Sequence, residues 1–122
     1  MIRAAALLAA TLALGGCAGS LTGTDGAKVV TAHPVPSYQI HEECFKLNEG
    51  DRVDFGFESS EPVDFNIHYL EGQAVVMPIS REKARSDAGV YVARIAQDYC
   101  LMWESGAAGA LIDYRIQIRR AA

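Results

Sequence analysis

The chain has 122 residues, with eleven Lys and Arg against fifteen Asp and Glu, and a formal net charge of −4. That length accommodates one folded unit. It excludes large catalytic architectures such as eight-fold βα barrels, doubly wound dinucleotide folds and kinase-sized domains. An acidic balance without a basic stripe argues against nucleic acid as a partner.

Met1 to Gly16 carries one charged side chain, Arg3. A positive start followed by about eleven apolar residues, too short to cross a bilayer as a helix, is the anatomy of an export signal. Leu14-Gly15-Gly16-Cys17 then resembles the bacterial lipobox, in which small residues admit the signal peptidase and the cysteine sulfur is diacylated. The resemblance implies a signal peptide over residues 1–16 and a mature chain beginning at lipidated Cys17. One acyl chain holds a protein only marginally, and each buried methylene adds about 0.8 kcal/mol, so two or three chains form a lasting anchor. Ala18 stands where lipoproteins kept in the inner membrane commonly carry Asp. The expected location is therefore the periplasmic face of the outer membrane in a Gram-negative host, with the membrane as first partner.

Residues 17–36 read as a tether. Small and polar residues dominate its first part, and Pro34 and Pro36 stiffen the second. A flexible tether of about eighteen residues spans roughly 25 Å. Lys28-Val29-Val30-Thr31 also fits an edge strand.

Beyond Pro36 the pattern becomes short alternating runs, which predicts an all-β fold over residues 37–120: a single small antiparallel β-sandwich of about seven strands. Val53, Phe55 and Phe57 alternate with Asp54, Gly56 and Glu58; Val63, Phe65, Ile67 and Tyr69 alternate with Asp64, Asn66 and His68. Ile112, Tyr114, Ile116 and Ile118 repeat the pattern near the end. Less regular strands are expected at Tyr38–Leu47, Ala74–Ile79, Val90–Ala96 and Tyr99–Glu104. Asn48-Glu49-Gly50-Asp51, Ser59-Ser60-Glu61-Pro62 and Glu71-Gly72 supply turn residues, and Ser80–Ala88 suits a helical turn capped by Ser80.

Export places Cys44 and Cys100 in an oxidising compartment, so a disulfide is expected between them. Closing a loop of about 57 residues restricts the unfolded chain by roughly 4 kcal/mol in the entropic picture. Two free buried thiols are the alternative. An early strand cysteine, Gly50-Asp51-Arg52-Val53, the strand Pro62-Val63-Asp64-Phe65-Asn66-Ile67-His68 and Tyr99-Cys100-Leu101-Met102-Trp103 resemble the GOLD domain, the lumenal β-sandwich of a cargo-receptor family. The resemblance covers Cys44 to Arg119 and implies a disulfide-pinned sandwich that binds rather than catalyses. The membrane helix and coiled coil that accompany that domain are missing here, so cargo trafficking does not carry over.

Chemistry is sparse. A blue-copper site needs two His, a Cys and usually an axial Met, but no histidine follows Cys100. A looser thioether-rich copper(I) site could draw on Met77, Met102, His41 and His68, which makes a metallochaperone-like copper binder the alternative reading; the same methionines also suit core gaps. Ser80-Arg81-Glu82-Lys83 fits a Ser-x-x-Lys pattern without its companion elements. No catalytic residue, resident metal or cofactor is expected, and the chain reads as a non-enzyme. Between Glu42 and Glu71 nine acids face only Lys46 and Arg52. Asp54, Glu58, Asp64 and His68 mark a wet sheet face that either attracts a basic envelope-protein partner or only keeps the domain soluble.

Overall fold

The structure is a computed structural model that describes residues 26–122. Six strands make it up: β1 (Lys28–Val35), β2 (Ile40–Leu47), β3 (Arg52–Glu71), β4 (Ala74–Val92), β5 (Gln97–Ser105) and β6 (Ala110–Arg119). All pairs are antiparallel. The all-β class and the Cys44–Cys100 disulfide are as expected. The strand number is not: six strands replace about seven.

β3 organises everything else. Its first part, Arg52 to Ser59, pairs with β6, and Val63 to His68 pairs with β5. β4 runs along its opposite edge from Val92 back to Ala74. β1 lies beyond β6 and β2 beyond β5, so two wings branch from one long strand. The wings meet through their inward side chains: the rings of Trp103 on β5 and Tyr114 on β6 are 4.6 Å apart, and those of His33 on β1 and His41 on β2 are 3.8 Å apart. The sheet thus encloses its own core, consistent with the sandwich expectation.

The alternating runs explain that core. Val53, Phe55 and Phe57, then Val63, Phe65 and Ile67, are buried along β3. Tyr99, Leu101 and Trp103 from β5 and Ile112, Tyr114 and Ile116 from β6 meet them. Each large apolar side chain removed from water contributes about 1.5–3 kcal/mol.

Three local expectations are corrected. Ser59-Ser60-Glu61-Pro62 is no hairpin turn but the stretch of β3 where the strand leaves β6 for β5 and slips its register with β4. Its turn-type residues have work there: Ser59 Oγ donates to the Glu61 carbonyl at 2.6 Å, and Ser60 Oγ accepts from the Leu111 N–H at 2.8 Å. Ser80–Ala88 is strand, not helical turn, within a β4 that also joins the two segments expected at Ala74–Ile79 and Val90–Ala96. Lys28–Val35, inside the stretch read as tether, is a complete strand paired to β6, so the β domain takes in residues before Pro36.

Two bulges share one device. Ala32 and Lys83 adopt φ of 52° and 49°, a conformation that L side chains rarely take. Each sits where its strand slips against its neighbour. Each donates its backbone N–H to an aspartate across the slip: Ala32 to Asp113 at 2.7 Å and Lys83 to Asp64 at 2.9 Å. The carboxylates satisfy donors that the ladders leave over.

The Asn48–Asp51 turn is as expected. Asp51, 2 % exposed, accepts from the N–H groups of Asn48 and Ala121, each at 2.8 Å, and pairs with Arg120 at 3.0 Å. Gly50 takes φ 88° there, which its missing Cβ permits.

Candidate functional site

Three arrangements on this scaffold carry polar chemistry. The first is a groove of about 540 Å³ across the outer face where β4, β3, β6 and β1 lie side by side. Ala88, Gly56, Arg115 and Val29 form one row in register, and Ser86, Glu58 and Asp113 the next. Gly56 and Ala88 leave the floor low; Glu58, Arg115 and Val29, which is 67 % exposed, stand around it. Among the described residues neither Glu58 nor Arg115 is held by an ion pair or side-chain hydrogen bond. Both charges are available to a partner.

The second is the seam between the wings. Tyr114 Oη donates to Glu43 Oε1 at 2.7 Å and accepts from His41 Nε2 at 2.8 Å. Lys28 Nζ reaches the same carboxylate at 2.7 and 2.9 Å. His41 stacks on Trp103, with centroids 5.8 Å apart. Burial, then the neighbouring His33, hold the His41 imidazole below its ordinary value of 6.5 against the pull of Glu43. Burial pushes Glu43 up, but the hydrogen bonds from Lys28 and Tyr114 and the Lys28 charge outweigh it and leave the carboxyl below 4.5. Burial and the bond to Glu43 raise the Tyr114 phenol, which keeps it protonated. The cluster clamps β1 and β6 to β2; a neutral tyrosine there is a bridge, not a nucleophile.

A pH dependence follows. The lowered imidazole means the unfolded chain takes up a proton first, so stability is complete above pH 6.5 and falls as pH drops through the folded His41 value. A second loss follows below about pH 4.5, as Glu43 and Asp51, both lowered in the folded state, become protonated. Urea midpoints measured from pH 8 to 3 should therefore show two descending stages, and His41→Phe should erase only the upper one. A flat wild-type profile between pH 7 and 5 would contradict this.

The third arrangement surrounds the disulfide. Cys44 and Cys100 face each other in register across β2 and β5, with Cys44 exposed and Cys100 half-buried. His68 on β3 pairs in register with Cys100. Its Nδ1 donates to Asn66 Oδ1 at 2.7 Å, and its Nε2 lies 3.8 Å from Glu42 Oε1. Glu42 and Asn66 both stand opposite Met102.

The residues expected to form one acidic face have separate tasks. Asp54 pairs with Arg119 at 2.5 Å, Asp64 caps the Lys83 bulge and His68 belongs to the disulfide face. Glu58 alone of the four lines the groove. Of the residues considered for copper, His41 lies in the seam, whereas Met102 and His68 share the disulfide face and Met77 stands opposite His68 at a slip of β4. Cys17 lies outside the described residues. The seam went unseen in the sequence. Its one signal was that His41 and Glu43 take the half-buried positions of β2, where an apolar side chain is ordinary.

No protein-family model matches the chain, and no curated relative does. Among solved structures it is similar to PliG of Aeromonas hydrophila, a periplasmic lysozyme inhibitor of g-type lysozyme, at 11% identity and a TM-score of 0.48, covering 80% of this chain and 85% of that one. It is also similar to a protein of Sulfurospirillum deleyianum, at 8% identity and a TM-score of 0.44, covering 80% of this chain and 98% of the other.

Proposed function

We propose that the chain is a cell-envelope lipoprotein, anchored through acylated Cys17 to the periplasmic face of the outer membrane, whose β domain is a non-catalytic module that docks an envelope protein. The lipobox-like Leu14-Gly15-Gly16-Cys17 supports the anchor. The observation that carries the binding role is the outer groove: a floor of Gly56 and Ala88 beside one uncommitted acid and one uncommitted base. Opposite charges on a low, partly apolar floor fix the orientation of a partner segment more than its affinity. The long open edge of β4 is less suited to the task, because its bulges and the charges Arg81, Lys83 and Arg85 discourage strand addition.

The test places a photo-crosslinking side chain at Val29, on the groove, or at Leu70, near the tip of the β3–β4 hairpin and 57 % exposed. In intact cells the Val29 position should give an adduct of one discrete mass, and the Leu70 position should not. Glu58→Lys with Arg115→Glu should cut adduct yield about tenfold, equivalent to about 1.4 kcal/mol, without changing the melting temperature. Equal adducts from both positions, or yield that survives the double reversal, would remove the groove from the proposal.

A further inference from the structure

The geometry points to a redox-gated zinc site on the disulfide face, formed by Cys44, Cys100, His68 and Glu42 when the disulfide is reduced. This is independent of the groove. The Glu42 carboxylate and the two sulfurs already lie within 4.8 Å of one another, and His68 Nε2 is 3.8 Å from Glu42. Zinc bonds of about 2.3 Å to sulfur and 2.0–2.2 Å to nitrogen or oxygen place tetrahedral donors about 3.3–3.8 Å apart. Side-chain movements bring Glu42 and the two sulfurs into that range once the sulfurs separate, and His68, outside that closer group, completes the set from the Glu42 side. Three adjacent strands in register, β2, β5 and β3, hold the donors.

The histidine is already oriented as a ligand. Its Nδ1 bonds Asn66, which is 5 % exposed, and this fixes the ring with Nε2 on the side of the Glu42 carboxylate. A fixed second ring nitrogen is what metal-bound histidines usually show, and Asn66 acts here as a positioning residue. Met102, opposite both Glu42 and Asn66, stands beside the site and adds a soft, polarisable neighbour.

The chemistry balances with an external dithiol, the class of reductant that a thiol–disulfide oxidoreductase carries. One thiolate of that dithiol attacks the exposed Cys44 sulfur and expels the Cys100 thiolate; its second thiol resolves the mixed disulfide, frees Cys44 and leaves the reductant oxidised. Zinc then displaces the protons remaining on the two thiols, while His68 binds as the neutral ring and Glu42 as the carboxylate. In the oxidised protein the sulfurs are bonded to each other and the site is closed.

Zinc sulfate titrated at neutral pH against a competing chromophoric chelator tests this on the folded chain, before and after reduction with a phosphine. The reduced protein should bind one zinc per chain and the oxidised protein none at the same concentrations. His68→Ala should weaken binding about tenfold or more, whereas His41→Ala, in the seam, should leave it unchanged. Cobalt in place of zinc should show thiolate charge-transfer absorption only after reduction. Should reduction loosen the domain, zinc should raise the melting temperature of the reduced chain. No zinc bound after reduction, His68→Ala binding as tightly as wild type, or a reduced melting temperature indifferent to zinc would each overturn the site.

Discussion

Trp103→Ala should lower the unfolding free energy by about 3–5 kcal/mol, the cost of deleting a large buried ring and leaving its cavity. Trp103 is 1 % exposed and joins four strands. Its ring centroid lies 5.4 Å from Phe65 and 6.0 Å from Phe57 on β3, 4.6 Å from Tyr114 on β6 and 5.8 Å from His41 on β2. Removing it opens the space where the two wings meet, and it unseats the His41 and Tyr114 rings that clamp the seam. Among the described residues its Nε1 has no hydrogen-bond acceptor, so Trp103→Phe forfeits area but no bond and should recover more than half of the loss. Urea unfolding followed by far-ultraviolet circular dichroism measures both. A loss under about 1 kcal/mol for the alanine variant would mean that the wings do not share one core.

Replacing both Cys44 and Cys100 with alanine should cost about 4 kcal/mol, nearly as much. The bond joins residues 56 apart, and opening that loop frees the unfolded chain by this amount in the entropic picture. Little native packing is lost in the exchange, because Cys44 is exposed and Cys100 half-buried. The penalty should therefore appear without a rearranged core: near-ultraviolet circular dichroism of the folded double variant should match wild type while its urea midpoint falls. A midpoint within error of wild type would show that β2 and β5 remain associated in the unfolded chain, where the bond would then constrain nothing.

The strands legible in the sequence were those with one buried and one wet face. Phe55 and Phe57, or Ile112 and Tyr114, alternate because neighbours on both edges and a facing wing fix which side is dry. β4 lacks that signature. Its half-buried positions, Val76, Ile79, Ala84, Asp87 and Tyr91, fall at uneven spacings because the strand slips against β3, so no period of two can be read along it. Ser80–Ala88 therefore looked like a capped helical turn although its backbone is committed to β3. β1 hid for a related reason: Lys28, Val29 and Thr31 are exposed, and Pro34 reads as linker. Proline is tolerated there because β1 is an edge strand.

The candidate sites were legible in proportion to how local they are. The disulfide followed from compartment and cysteine count. Asp64 and His68 share the outward parity of β3, though His68 and the adjacent Asn66 are covered there, and their tasks depend on distant strands: a bulged Lys83 for one and Cys100 for the other. The seam was invisible because its members come from β1, β2, β5 and β6, and only the closure of the wings brings Lys28, Glu43 and Tyr114 together. Polar residues at inward positions of a short strand are the residue-level trace that such a closure leaves.

The anchor is the claim on which location and partner both rest, and alkaline extraction of membranes tests it most directly. Wild-type protein should stay with the pelleted vesicles at high pH, and Cys17→Ser should move entirely to the supernatant with its β domain still folded. Cys17→Ser that remains in the pellet after that wash would contradict lipid anchoring through this sulfur.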